Sequence, residues 1–203
     1  MSTSVLEQGL ERLGLSVEPA QLMAYLALLQ KWNKAYNLTA IRDPDDMVTL
    51  HLLDSLAITT WITGKSLLDV GAGAGLPGIP LAIWNPDLQV TLLDSNGKKT
   101  RFMHEVKRVL KLDNVTIAES RVENYQTPSA FDMISSRAFT ELGRMIGLSR
   151  HLIANNGVWL AMKGRYPEQE LQALDLPYTV ECYQVPGLEG ERCCVLIKNN
   201  NEE

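Results

Sequence analysis

The chain has 203 residues, of which 45% are hydrophobic and 21% are charged, an ordinary mixture for a water-soluble domain with a sizeable core. No apolar run reaches the roughly 18 residues that cross a bilayer, and the opening MSTSVLEQGLERLG lacks the basic and apolar regions of a signal peptide. The net charge of −5 argues against a uniformly basic nucleic-acid-binding protein. We therefore expect a cytoplasmic protein and exclude a membrane-spanning or secreted one.

Residues 1–64 carry helical signals and no strand signal. Apolar side chains recur at helical spacing over residues 22–32, and Pro19 and Pro44 suit the first turns of two helices. The sequence predicts an N-terminal helical segment over 1–64, packed on a main domain that spans 65–203.

From residue 65 the chain alternates between strand and helix patterns. Helical stretches separate the first five strand candidates, which predicts a mostly parallel sheet covered on both faces. Only PGLEGE joins the last two candidates, so they must form an antiparallel hairpin. The tail NNNEE is predicted to be disordered. The seven strand candidates are SLLDV, QVTLLD, NVTIAES, FDMISSR, GVWLAMKG, YTVECYQV and RCCVLIK.

The three cysteines, Cys182, Cys193 and Cys194, contain no C-x-x-C pair, and adjacent strand residues face opposite sides of a sheet. We expect small buried side chains and no metal site.

The stretch LLDVGAGAGLPGIP, residues 67–80, has two possible glycine registers. One places Gly71, Gly73 and Gly75 in a turn directly after a strand that ends in Asp69 and Val70. The other, Gly73-x-Gly75-x-x-Gly78, is a dinucleotide fingerprint, but it puts the Asp69 carboxylate close to a pyrophosphate that it would repel. The first register favours a ligand with positive groups, and S-adenosylmethionine carries both an amino group and a sulfonium.

Two further positions suit this cofactor in a Rossmann-like sheet of the class I methyltransferase type. Asp94 ends the second strand, 21 residues after Gly73, where a carboxylate accepts hydrogen bonds from ribose hydroxyls. A carboxylate at that position does not distinguish S-adenosylmethionine from a nicotinamide dinucleotide, because both contain the same ribose. Val122 and Glu123 follow the third strand, where the adenine is expected.

The absence of certain motifs limits which kinds of atom can accept the methyl group. SSRAF follows the fourth strand in place of an Asn/Asp-Pro-Pro-aromatic run, and no Pro-Cys or Thr-Cys pair supplies a nucleophilic thiol. The acceptor should therefore be intrinsically nucleophilic, as N7 of guanine is. Alignment of the reacting groups then accounts for catalysis, without a general base.

Basic residues cluster in two places that indicate an RNA partner. Between residues 98 and 111, six basic side chains accompany one acid, Glu105, on a helix with a predicted apolar face of Phe102, Val106, Val109 and Leu110. Others stand at strand ends, near the expected site of methyl transfer. The predicted RNA contacts are Lys98, Lys99, Arg101 and Arg165, and the predicted positioning residues are Arg121, Arg137 and Lys163. His51, with Asp54 one turn later, is a further candidate residue for the functional site.

The combined motifs resemble the bacterial ribosomal RNA small-subunit methyltransferase G family, also called glucose-inhibited division protein B. The resemblance runs from about residue 32 to residue 198 and rests on KWNKAYNLTAIRDPDDMVTLHLLDSL, LLDVGAGAGLPGIPLAI, TLLDSNGKKTRFM, SRVE, SRAF, MKG and GERCCVLIK.

The resemblance implies an S-adenosylmethionine-dependent enzyme that methylates N7 of guanine 527 in the decoding-region loop of 16S ribosomal RNA, within a small-subunit ribonucleoprotein. The cofactor positions that it implies are Gly71, Leu76, Val122, Glu123 and Arg137. It also implies a pocket that contains Asn37, Thr39, His51, Asp54 and Ser55. The residues themselves leave open a small-molecule methyltransferase, which the acidic composition favours, and an oxidoreductase that uses the second glycine register.

Overall fold

The computed structural model describes residues 2–199 and contains one seven-stranded sheet in the order β3-β2-β1-β4-β5-β7-β6. All seven predicted strands are present. Their bounds are Ser66–Val70 (β1), Gln89–Asp94 (β2), Val115–Glu119 (β3), Phe131–Arg137 (β4), Ile153–Lys163 (β5), Tyr178–Tyr183 (β6) and Arg192–Lys198 (β7).

Strand pairing follows the predicted topology. The ladders among β1 to β5 are parallel, whereas β7 pairs antiparallel with both β5 and β6. The strand order reverses at β1, which lies between β2 and β4. Ligands of such sheets bind at this reversal, beyond the carboxyl ends of the strands. The ends of β1, β2, β3 and β4 therefore meet at one edge of the molecule.

Helices cover both faces of the sheet and form the N-terminal segment. Residues 48–53 form a π-helix that continues directly into a short α-helix at Asp54–Leu56, so the backbone at His51 differs from the ordinary amphipathic helix that the sequence indicates. The α-helices are Ser2–Arg12 (α1), Pro19–Tyr36 (α2), Pro44–Met47 (α3), Asp54–Leu56 (α4), Gly78–Trp84 (α5), Gly97–Leu110 (α6), Leu142–Ser149 (α7) and Glu168–Gln172 (α8).

The N-terminal helices share a core with one face of the sheet. Leu29 and Leu52 belong to the same buried cluster as Leu92 of β2 and Phe102 of α6, while Trp159 lies in a second cluster on the other face. A hydrogen bond from the Tyr25 hydroxyl to the Ala74 carbonyl, 2.8 Å long, joins α2 to the glycine turn. Packing of the N-terminal helices therefore shapes the site at the sheet's edge.

Two local predictions were wrong. In α6 the buried residues are Thr100, Phe102, Met103 and Val106, whereas Val109 is 41% exposed, because the helix turns its 100–103–106 row towards α2 and the sheet.

Cys182 is exposed on β6, since no layer covers the outward side of this edge strand there, and its Sγ lies 2.7 Å from Sγ of Cys193. Of the tail that was predicted to be disordered, residues 200–203 lie outside the described residues; its first residue, Asn199, is buried and bonded to Ala154 and Gly157. Within 2–199, no helix is long and apolar enough to span a membrane.

Candidate active site

The glycine turn begins where β1 ends, at Val70, as the first register requires. Gly71, Gly73 and Gly75 all have positive φ, at 68°, 61° and 87°, a region that glycine enters without strain. The amide of Gly71 donates to the Leu93 carbonyl at 2.8 Å, which fixes the turn against β2. The strand does not continue to Ala72, as the dinucleotide register would need.

Asp69 lies beneath this turn and not in a cavity. Its side chain has no solvent exposure; it accepts hydrogen bonds from the Gly78 amide at 2.9 Å and the Ser135 hydroxyl at 3.2 Å. Burial raises the pKa of the Asp69 carboxyl to about 7, and these two donors oppose the rise. Asp69 therefore ties β1 to the start of α5 and to β4, a structural arrangement different from the direct contact with a cationic ligand that the sequence suggested.

We expect Asp69→Asn to change how stability depends on pH. In the native protein the carboxyl binds its proton up to pH about 7, whereas in the unfolded chain it loses it near the ordinary value of 3.8. The native state then holds the extra proton, so the contribution of Asp69 to the free energy of unfolding falls as pH rises through this window. Asparagine removes that fall and can still accept from the Gly78 amide.

Urea unfolding of both proteins from pH 4 to 8 measures this difference. His51 acts in the opposite sense, because its pKa is lowered to about 4 and its contribution grows as pH rises from there towards 6.5. Subtracting the free energy of unfolding of Asp69→Asn from that of the wild type at each pH removes the His51 contribution, because both proteins contain it. A difference that stays constant across the range would contradict the assignment.

A cavity of about 450 Å³, here called the glycine-turn cavity, opens beyond β1, β2 and β3. Asp94 lies at its floor: Oδ2 accepts from the Gly73 amide at 2.9 Å, Oδ1 accepts from the Asn96 amide at 2.9 Å, and Lys99 Nζ lies 3.5 Å away. Six residues of the predicted site line this cavity: Gly71, Asp94, Lys99, Arg121, Val122 and Glu123. Five of the predicted cofactor positions do not line it: Asp69, Gly73, Gly75, Leu76 and Arg137.

A second cavity of about 440 Å³, here called the arginine cavity, lies on the other side of residues 138–140. Its walls come from the π-helix, the ends of β4 and β5, and the β6–β7 hairpin. Its polar lining residues include His51, Asp54, Arg137, Lys163, Tyr183 and Arg192. Arg121, predicted as a positioning residue, lies instead in the glycine-turn cavity, because β2 and β1 separate β3 from β4.

Residues 138–140 form the wall between the two cavities and line both. Ala138 has φ of 52°, a left-handed conformation unusual for a residue with a side chain. The ring of Phe139 packs so closely on Gly71 that a Cβ there would lie 2.5 Å from Cδ2 of the ring. Non-glycine residues in this region are held by their surroundings and cluster at functional sites. The two cavities thus share one wall, which packs tightly on the glycine turn.

Arg137, the last residue of β4, crosses from the sheet to the N-terminal helices. Its guanidinium donates to the Leu50 carbonyl at 2.7 Å, to Asp54 Oδ2 at 3.1 Å and to His51 Nδ1 at 3.4 Å. Burial raises the pKa of the Asp54 carboxyl, and Arg137 and Arg192 oppose this rise. Arg192 Nε lies 3.6 Å from Asp54 Oδ1, so one carboxylate holds two guanidiniums side by side.

His51 is a neutral imidazole in this setting. Burial and the neighbouring Arg137 lower its pKa to about 4. Because a guanidinium only donates, Nδ1 accepts from Arg137, and Nε2 carries the proton towards Thr39 Oγ1, 3.0 Å away. Both ring nitrogens thus have protein partners, and the imidazole fixes the walls of the arginine cavity.

The remaining predicted residues occupy different positions. Lys163 forms an ion pair with Glu170 at 2.7 Å. Arg165 lines a depression that adjoins the arginine cavity, and Lys163 and Gly164 line both. Ser55 is fully buried and donates to the His51 carbonyl at 2.6 Å, while Asn37 closes α2 with φ of 50°. Lys98 and Arg101 are exposed on α6 and line neither of the two cavities.

Some residues that line the cavities were not predicted from the sequence, among them Phe139, Tyr183 and Arg192. Arg192 and Tyr183 come from the terminal hairpin, whose antiparallel return brings the end of the chain beside β5. Phe139 is the last residue of the stretch SSRAF, and neither the missing motifs nor the family resemblance assigns it a role. Its position two residues after the carboxyl end of a parallel strand was the available signal.

A seven-stranded sheet in this order, with a glycine turn after β1 and a carboxylate at the end of β2, defines a class I S-adenosylmethionine-dependent methyltransferase. The model of the rRNA small subunit methyltransferase G family matches residues 18–193. The chain therefore belongs to that family, as its motifs indicated.

Relatives agree with this family assignment, and solved structures agree with the fold. Proteins named ribosomal RNA small subunit methyltransferase G are 57% identical in Legionella pneumophila strain Philadelphia 1, covering 98% of this chain and 96% of the relative, and 52% identical in Methylobacillus flagellatus, covering 95% and 96%. Two crystal structures share the fold. They are an O-methyltransferase from Bacillus cereus (TM-score 0.59, 16% identity, 86% of this chain and 90% of that one) and a SAM-dependent methyltransferase from Aquifex aeolicus (0.58, 18%, 83% and 97%).

Proposed function

We propose that this protein transfers a methyl group from S-adenosylmethionine to N7 of guanine 527 in the decoding-region loop of 16S ribosomal RNA, in the cytoplasm. The observation that carries the proposal is the pair of adjoining cavities, which meet at residues 138–140. The lining of one cavity suits the cofactor, and the volume of the other is sufficient for a purine base. The names of the relatives supply the RNA as the substrate.

The glycine-turn cavity fits the cofactor on several counts. The absence of a side chain at Gly71 leaves backbone exposed at one end, and Asp94 has lone pairs left for ribose hydroxyls after accepting two amides. Val122 and Glu123 line the far end, where the adenine is expected. When bound, S-adenosylmethionine supplies an electrophilic methyl group on a sulfonium.

The arginine cavity suits an acceptor that has no proton to lose. N7 of guanine carries a free lone pair at neutral pH. His51 and Asp54, the titratable groups nearest Arg137, are both engaged by protein partners. The role of Arg137 is therefore to hold the walls and to offer donors to the substrate, and proximity and alignment lower the barrier. A guanine must leave its stack to reach this cavity, which is how enzymes that modify bases gain access.

Mapping the modified nucleotides of 16S RNA by mass spectrometry tests the proposal. Cells that lack the protein should have lost one N7-methylguanine, and the purified enzyme with S-adenosylmethionine should restore it. An unchanged map would refute the proposal, and restoration at another atom would refute the N7 assignment. A small-molecule methyltransferase would leave the RNA map unaltered.

Asp94→Ala should weaken binding of S-adenosylmethionine by about 10- to 100-fold, the loss expected for charge-assisted hydrogen bonds to ribose. Isothermal titration calorimetry measures the affinity. Asp87→Ala is a matched control, since Asp87 is an exposed acid just before β2 whereas Asp94 ends that strand. Equal affinity in the two variants would show that Asp94 makes no contact with the cofactor.

A further inference from the structure

A groove of about 470 Å³ lies between the second half of α2 and the start of α3, and we call it the basic groove. Three exposed cations line it: Lys31 and Lys34 from α2, and Arg42 from the loop before α3. Ile41 lines both this groove and the arginine cavity. The groove therefore adjoins the place where the acceptor base is proposed to bind.

Its lining contrasts in charge with the protein as a whole. The chain carries a net charge of −5, yet no residue that lines the groove is acidic. Asp43 lies near Arg42, but its carboxylate accepts the amides of Asp45 and Asp46 and caps α3. Glu105 lies within electrostatic reach of Lys31, although its main partner is Arg108. The charged side chains that line the groove are thus all cationic.

The groove and the arginine cavity are held in a fixed relation by hydrogen bonds. Asn33, which lines the groove, donates to the Thr39 carbonyl at 3.0 Å and accepts from the Thr39 amide at 2.9 Å. The hydroxyl of Thr39 then bonds to His51 of the arginine cavity at 3.0 Å. Since Asn33 and His51 are both buried, a ligand that spans both places meets a preformed surface.

We propose that the basic groove binds backbone phosphates of the RNA strand next to the nucleotide that enters the arginine cavity. This inference rests on the proposed function. A guanine in a loop remains attached to its neighbours when it unstacks, so its flanking phosphates must cross the surface beside the cavity. Lys31, Lys34 and Arg42 are placed to neutralise them. They add a contact surface to the one expected on α6 at Lys98 and Arg101.

The double variant Lys31→Gln/Lys34→Gln tests the groove. Its matched control is Lys65→Gln/Lys198→Gln, which removes two exposed charges at the opposite edge of the sheet. The substrates are small-subunit particles from cells that lack the enzyme and the same RNA freed of protein. Initial rates are measured against RNA concentration at several salt concentrations, with S-adenosylmethionine saturating.

In the groove variant we expect KM for both RNA substrates to rise about tenfold, kcat to stay near the wild-type value, and cofactor affinity to be unchanged. The slope of log(kcat/KM) against log[salt] should become shallower by about 1.4, because each lost contact with single-stranded RNA reduces it by about 0.7. Arg42→Gln should shift it by half as much. The control should behave as the wild type.

Each contrary result has a separate meaning. If the wild type methylates the RNA but the groove variant keeps its KM and salt slope, the groove inference is wrong and the proposed function stands. A defect on particles alone would show that the groove binds a ribosomal protein, which also overturns the inference. If the wild type does not methylate either substrate, the proposed function itself fails.

Discussion

Arg137→Ala should reduce methyl transfer to RNA by about 100-fold or more while leaving S-adenosylmethionine affinity within a few fold of the wild type. Arg137 lines the arginine cavity and not the glycine-turn cavity. Its side chain holds Leu50, His51 and Asp54 in place, so its removal displaces the walls that would orient the base. Single-turnover kinetics and calorimetry measure the two quantities separately.

The same substitution should lower the free energy of unfolding by about 2 to 3 kcal/mol, near the lower end for breaking a buried ion pair, because Arg137 is about one-fifth exposed. The Asp54 side chain is 8% exposed, and among residues 2–199 it would keep Arg192, at 3.6 Å, as its one ion-pair partner. Part of the loss is therefore the penalty of leaving a buried carboxylate poorly compensated.

A double-mutant cycle with Asp54→Asn separates this penalty from other effects. In the Asp54→Asn background, Arg137→Ala should destabilise the protein less than it does in the wild type, by about 1 kcal/mol or more. Arg137→Lys serves as the conservative control, since it keeps the charge but cannot reach three acceptors with one planar fork. Strict additivity, or loss of cofactor binding in folded Arg137→Ala, would contradict the role assigned to this arginine.

The framework of the site follows from the sequence because strand ends are encoded locally. Hydrophobic runs that stop at Val70 and Asp94 predict the strands, and the topology rule then brings those ends together at one edge. Asp94 and Glu123 accordingly line one cavity. The spacing of residues in the sequence cannot tell whether a side chain at such a strand end points up into the cavity or down under the turn. For this reason the sequence did not predict that Asp69 is fully buried.

The acceptor side is encoded by contacts between distant parts of the chain. Asp54 meets Arg137 across 83 positions, and Arg192 reaches the same carboxylate from the final strand. No local pattern predicts such meetings, because they depend on how the N-terminal helices dock and on the antiparallel return of β7. The family resemblance grouped His51 with Asp54, but Arg192 and Phe139 emerged only from the three-dimensional arrangement.

Gly71→Ala should weaken S-adenosylmethionine binding by about 10- to 100-fold, whereas Gly73→Ala should have a much smaller effect. Both glycines have positive φ, so an alanine at either position carries a backbone strain of about 1 to 2 kcal/mol. The two positions differ in the room that is available for a Cβ atom. A Cβ on Gly71 would lie 2.5 Å from the Phe139 ring, whereas the nearest atom to a Cβ on Gly73 is the Gly71 carbonyl oxygen at 3.7 Å.

The difference between the two variants therefore measures what displacement of Phe139 does to the wall. Overpacking of this kind costs about 1 to 3 kcal/mol, and because Phe139 lines both cavities, its shift narrows the glycine-turn cavity and deforms the arginine cavity together. In a Phe139→Ala background the obstacle is gone, and Gly71→Ala should then weaken cofactor binding no more than Gly73→Ala does. Calorimetric titration of all six proteins with S-adenosylmethionine gives the answer. If Gly71→Ala stays the more harmful change without the ring, the close packing of residue 139 on the turn is not what requires glycine at position 71.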